Sequence, residues 1–168
     1  MGKKDKTPKS AEKPAAEDAG GDAADAMPYA TRVKFCSVIA KPLADEKFCK
    51  KVLKLAKKAA KRKQLKRGVK EVVKAIRKNV KGICILAGDI SPIDVITHIP
   101  VVCEDSKIPY IYVPSKEELG AAALSKRPTS CMLILPKPPK GGDDDAEAKE
   151  FAEAYSEVEK KVKASEVA

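Results

Sequence analysis

The chain has 168 residues, enough for one compact domain with tails and a buried core. Its net charge of +10 is unevenly placed: residues 27–140 hold 25 Lys/Arg against 9 Asp/Glu, while 1–26 and 141–168 are net acidic. Such a basic body points to a polyanion, nucleic acid first, and no apolar run approaches the ~20 residues that cross a bilayer, which excludes a membrane-spanning helix.

Residues 1–27 are expected to be a disordered tail. Nothing large and apolar occurs between Met1 and Met27, so burial has nothing with which to offset ordering entropy. No secretory hydrophobic region follows Met1, which predicts a soluble intracellular protein. In "YATRVKFCSVIA" a short strand is expected at 38–40, stopped by Pro42. From 44 to 66 the period is helical, with Phe48, Val52, Leu55 and Ala59 recurring every three or four residues. Twelve Lys/Arg lie between Lys41 and Arg67, opposed only by Asp45 and Glu46 in the expected first turn. That helix reads as a phosphate-binding face, as a nuclear-import signal around "KKAAKRK", or as a solvated surface. A solvated helix normally balances its lysines with acids one turn away, and beyond Asp45 and Glu46 this one has none.

Gly68 interrupts, and a second helix is expected over 69–78. "GICILAG" (82–88) reads as a central strand covered on both faces. A helix over 91–105 opens on Ser91 and Pro92 and is broken or kinked at Pro100. "IPYIYVP" (108–114) is another buried strand, Ser115 and Glu118 have capping-box spacing, and "SCMLILP" (130–136) is the last strand. Beyond "PKPPKGGDDD" a helix over 146–163 would put Phe151, Tyr155, Val158 and Val162 on one side. The alternation predicts an α/β fold, a three-layer α/β/α sandwich with a small mixed four-stranded sheet. Its divisions are a tail (1–27), the α/β/α domain (28–140) and an acidic, partly helical tail (141–168).

Catalytic chemistry finds little footing. The five cysteines form no C-x-x-C pair and one histidine is present, so no zinc set exists; buried free thiols are the reading. No phosphate loop of the G-x-x-x-x-G-K-[ST] kind occurs. Asp89 in "LAGDIS" and His98 in "THIPVV" are the residues a small α/β enzyme would have to use. Neither has a partner in sequence. No cofactor, metal or small-molecule substrate is expected.

The most informative stretch is "RGVKEVVKAIRKNVKG" (67–82). Gly68 opens a helix whose free N–H groups suit a phosphate, with Lys70, Glu71 and Lys74 expected on one side and Val69, Val72, Val73 and Ile76 on the other. Glu71 has two readings that local physics leaves open. It pairs with Lys74 at i+3, or it accepts hydrogen bonds from an exposed guanine edge.

"RGVKEVVKAI", "LAGDISPID", "HIPVVCED" and "LGAAALSKRPT" resemble the kink-turn-binding ribosomal protein family over residues 40–136. The likeness is greatest to the branch that forms the second core subunit of the eukaryotic box H/ACA ribonucleoprotein. The resemblance implies a non-catalytic RNA-binding subunit. Its particle guides pseudouridylation of ribosomal and spliceosomal RNA in the nucleolus of the nucleus. The implied partners are box H/ACA guide RNA, a dyskerin-type pseudouridine synthase and the other small core proteins, with no membrane involved. The family's Gly-x-Asn-Glu-x-x-Lys segment maps onto Gly68, Lys70, Glu71 and Lys74, the glutamate reading guanines of sheared G·A pairs. A second contact loop maps onto Leu124, Ser125, Lys126 and Arg127. An apolar patch beneath an extruded nucleotide maps onto Ile93 and Val95. Lys66 and Arg67 complete the expected phosphate grip. Two departures stand out: Lys70 replaces the family's asparagine, and Leu124 stands where many relatives have glycine. The rival within this fold is a box C/D or ribosomal protein, against which Lys70 and the "LAGD" turn argue.

Overall fold

The computed structural model describes residues 28–137 and 146–166; the expected 1–27 tail lies outside them. In chain order the elements are α1 (Tyr29–Lys34), α2 (Glu46–Lys61), β1 (Leu65–Arg67), α3 (Val69–Arg77), β2 (Ile83–Ala87), α4 (Asp94–Asp105), β3 (Tyr110–Val113), α5 (Lys116–Ala122), β4 (Cys131–Ile134) and α6 (Ala146–Glu166). The strands form one sheet in the order β1-β4-β2-β3. Only β2 and β3 run parallel; β4 is antiparallel to both β1 and β2. The expected α/β/α sandwich with a mixed four-stranded sheet is therefore the fold.

Strand alternation divides the core. Ile83, Ile85, Ala87, Ile111, Val113, Met132 and Ile134 face one cluster with α2, α5 and α6. Cys84, Leu86, Tyr110, Tyr112, Cys131 and Leu133 face the other with α3 and α4. Because β2 lies between β4 and β3 under helices on both faces, all five of its residues are buried. The long C-terminal helix belongs to this core. Phe151, Tyr155, Val158 and Val162 are buried with α2's inner stripe of Cys49, Val52, Leu55, Ala56 and Ala59.

Four local expectations are corrected. No strand forms at 38–40: Val38 is 89 % exposed, and the segment is a series of turns that caps the end of β2 through Ser37 N–H donating to the Gly88 carbonyl. The extended stretch comes slightly later. Tyr112 N–H donates to the Pro42 carbonyl and Ala44 N–H to that of Tyr112, covering the outer edge of β3. The helix expected to reach residue 66 stops at Lys61, because Lys63 turns the chain through a left-handed conformation (φ 58°) and Leu65–Arg67 pairs with β4. α4 begins at Asp94, after the 91–93 turn, and Pro100 does not divide it. Ile96, Ile99 and Cys103 are all fully buried on its inner side, and that packing holds the helix across the one amide hydrogen bond proline cannot make.

Candidate nucleic-acid interface

The helix start predicted at Gly68 is present. Gly68 has φ 83° and ψ 155°, a backbone conformation that glycine adopts freely, and a Cβ there would meet nothing within 4 Å. The turn is fastened to the sheet by Gly68 N–H donating to the Cys131 carbonyl. β1 supplies this anchorage: it runs directly into Gly68 with Arg67 opposite Met132.

Glu71 stands at the third position of α3, and its Oε2 accepts from Arg67 N–H at 3.3 Å. The geometry resembles a capping box displaced by one residue, since the Gly68 N–H is already used. No ion pair joins Glu71 to Lys74 among the described residues. Glu71 is thus held by backbone, not by a cation, and its side chain is exposed.

The structure separates the residues expected on one side of α3. Glu71 lines a groove of about 250 Å³ with Lys63, Leu65, Arg67, Ala60 and Ala123. Lys70 and Lys74 line a second groove of about 500 Å³ between α3 and α4, with Val69, Val73, Arg77 and His98. The 100° step between neighbouring helical residues accounts for this. Alternation along β1 likewise turns Lys66 away from Leu65 and Arg67. Lys63 and His98 were not among the expected RNA contacts. Lys63 was hidden in a run read as helix, and His98 in an apolar context.

The second contact region joins the first groove through Ala123. Leu124 N–H donates to the Ala121 carbonyl and Ser125 N–H to that of Gly120, the paired bonds of a Schellman ending to α5. Leu124 occupies the left-handed position of that motif (φ 54°), where glycine is usual, and is 53 % exposed. A leucine there strains the backbone while offering an apolar side chain to solvent. Leu124→Gly should raise stability in urea by about 1 kcal/mol, close to the cost of left-handed backbone for a residue with a Cβ, and should weaken RNA binding. Lys126 and Arg127 follow, both exposed, with Arg127 N–H donating to Ser125 Oγ at 3.2 Å. Ile93 and Val95 lie at the opening of α4, 38 % and 41 % exposed, with Val95 one turn before His98.

The residues an enzyme would use are placed differently. Asp89 is half-buried and its Oδ1 accepts from Lys116 N–H at 2.9 Å, which fixes the start of α5; burial raises its carboxyl above the usual range. His98 is exposed beside α3. All five cysteines are free thiols, four of them buried. No helix among the described residues is long and apolar enough to cross a membrane, and no cluster of metal-ligating side chains occurs among them.

An α/β/α body that brings a glycine-opened helix start, a backbone-held carboxylate and, through Ala123, the end of α5 before a cationic loop to one groove has the features of a nucleic-acid-binding module. Residues 50–138 match the ribosomal protein L7Ae/L30e/S12e/Gadd45 family. The chain belongs to that family, in the branch of the H/ACA ribonucleoprotein complex subunit 2 proteins. It is 56 % identical over 121 residues to the H/ACA ribonucleoprotein complex subunit 2-like protein of Arabidopsis thaliana, covering 72 % of this chain and 76 % of that one. To H/ACA ribonucleoprotein complex subunit 2 of Bos taurus it is 49 % identical over 126 residues, 75 % of each chain. Among solved structures, the Giardia lamblia 15.5kD RNA binding protein superposes with a TM-score of 0.64 at 31 % identity, covering 74 % of this chain and 95 % of that one.

Proposed function

We propose that this chain is the RNA-binding, non-catalytic core subunit of the box H/ACA particle, acting with guide RNA and a dyskerin-type pseudouridine synthase in the nucleolus. The observation that carries the reading is the state of Glu71: a carboxylate amid lysines that is held by Arg67 N–H and faces an open groove. A carboxylate so placed accepts N1–H and N2–H₂ of a guanine whose edge is exposed by a non-Watson–Crick pair. Arg67, Lys126 and Arg127 take phosphates around that groove. Lys66, Lys70 and Lys74 take them on the far side of the Gly68 turn, and Leu124 gives an apolar surface beside a splayed base. Ser125 shapes the loop, and Ile93 and Val95 pack against a nucleotide reaching α4. Residues 28–140 are the proposed RNA-binding domain. The synthase supplies the chemistry.

Lys70 sets how selective the surface is. An ammonium seeks phosphate on any RNA, whereas a neutral amide hydrogen-bonds bases. Lys70→Asn should increase the preference for a kink-turn over a plain hairpin several-fold and lower affinity for the plain hairpin. An unchanged ratio would show that position 70 does not control selectivity. The functional reading itself is tested by crosslinking the protein to RNA in cells and sequencing the RNAs. Box H/ACA guides are expected; enrichment of box C/D or ribosomal RNA in their place would overturn it.

A further inference from the structure

α2 carries lysines of two kinds. Lys51 and Lys58, seven residues apart, lie on the edge toward α6 and are neutralised there: Lys51 Nζ is 2.7 Å from Glu157 and Lys58 Nζ is 3.3 Å from Glu150. Lys47, Lys50, Lys54, Lys57 and Lys61 are exposed and follow a 3-4-3-4 spacing, which places them in one stripe along α2; its two ends border α6, Lys47 in a groove with Lys51 and Lys161 and Lys61 in one with Lys58 and Glu150. At 1.5 Å rise per residue the stripe is about 21 Å long, with one ammonium every ~5 Å. Lys50 pairs with Glu46, whereas no acid lies within ion-pair distance of Lys54, Lys57 or Lys61 among the described residues. Neighbouring like charges at i+3 and i+4 work against the helix, so a polyanion along it relieves repulsion as well as gaining attraction.

The stripe also has a direction. Lys57 is one turn before Ala60, and Ala60 lines the groove of Glu71, Arg67 and Lys63. On the opposite flank, α6 sets Glu150 and Glu157 beside α2. Phosphate therefore finds unpaired ammonium groups on the side of α2 that leads to the Glu71 groove, and paired charge on the side toward α6.

We propose that the Lys54–Lys57–Lys61 stripe is a second RNA-binding surface, taking the sugar-phosphate backbone of an uninterrupted duplex stem that continues from the element held at Glu71. It extends the RNA-binding reading above and supplies affinity without sequence preference, leaving selection to Gly68, Glu71 and the 124–127 loop.

The test uses the full chain and two RNAs, a plain hairpin and a hairpin with an internal loop of tandem G·A pairs, with affinity measured against salt concentration. Two double variants on the same helix remove equal charge at equal spacing. Lys54→Gln with Lys61→Gln should lower the log–log salt slope by about 1.4 to 1.8 on both RNAs, from 0.7 to 0.9 per phosphate contact. Lys51→Gln with Lys58→Gln should leave it unchanged. Equal losses in both pairs would show that RNA senses only total charge, and the stripe would be refuted. A slope unaffected by Lys54→Gln with Lys61→Gln would also refute it, leaving the stripe for an acidic protein. Failure of the unaltered chain to bind either RNA would instead remove the RNA-binding reading itself.

Discussion

Gly120→Ala should destabilise the protein by about 1–3 kcal/mol and displace the 124–127 loop. Gly120 lies within α5, and a Cβ there would sit 2.4 Å from the Arg127 carbonyl oxygen and 3.1 Å from Pro128 Cα. Both obstacles are backbone, so no rotamer change relieves them. The cost is that of overpacking a well-filled site. The displaced segment is the one that carries Lys126 and Arg127, and its anchor, Ser125 N–H on the Gly120 carbonyl, is at the substituted residue. RNA affinity should therefore fall more than the fraction of unfolded protein explains. Urea denaturation alongside binding at a temperature where the variant is folded separates the two. A variant with wild-type stability would mean that the Arg127 carbonyl does not lie against Gly120 of α5.

Phe151→Ala should cost about 3–5 kcal/mol, the range for removing a buried aromatic side chain. Phe151 is 2 % exposed and packs in the same cluster as Leu55, Ala59 and the sheet residues Ile83 and Ile134. Its ring lies 6.2 Å from that of Tyr155, in a tilted pair. Lys58, on the opposing helix, pairs with Glu150, the residue before Phe151, but that exposed ion pair contributes little by comparison. If the acidic C-terminal segment were a detachable tail, the same substitution would cost well under 1 kcal/mol. Because α6 lies across α2 and away from the Glu71 groove, the folded fraction of Phe151→Ala should bind RNA with unchanged selectivity.

The layers and three of the four strands were legible in the sequence for one physical reason. β2, β3 and β4 are buried on both faces, which writes them as continuous apolar runs. β1 was not legible. Leu-Lys-Arg is short, polar and at the sheet edge, and what makes it a strand is its pairing with Met132, Leu133 and Ile134, some 67 residues away in the chain. The turn at Gly68 was announced by its glycine. The left-handed ending of α5 at Leu124 was not written in the residue itself, since leucine gives no sign of it; only the glycine that many relatives carry there pointed to it. Ser115 caps α5 as its spacing implied, accepting from Glu118 N–H at 3.4 Å. The Glu118 carboxylate does not return to the cap but pairs with Arg32 of α1, a tertiary contact that local spacing cannot encode. For Glu71, helical spacing offered Lys74 as a partner, and the choice of Arg67 N–H depended on the Gly68 N–H being taken by β4.

The role of Glu71 is tested most directly by Glu71→Gln, comparing affinity for a hairpin with tandem G·A pairs against the same hairpin fully paired. The amide keeps the size of the side chain but puts a donor where two guanine donors would meet it. A bidentate base contact is worth about 1–3 kcal/mol of discrimination, so the preference for the G·A hairpin should fall by roughly fivefold to 150-fold, with affinity for the paired hairpin nearly unchanged. An undiminished preference would show that Glu71 serves the helix turn alone and that this groove does not read bases.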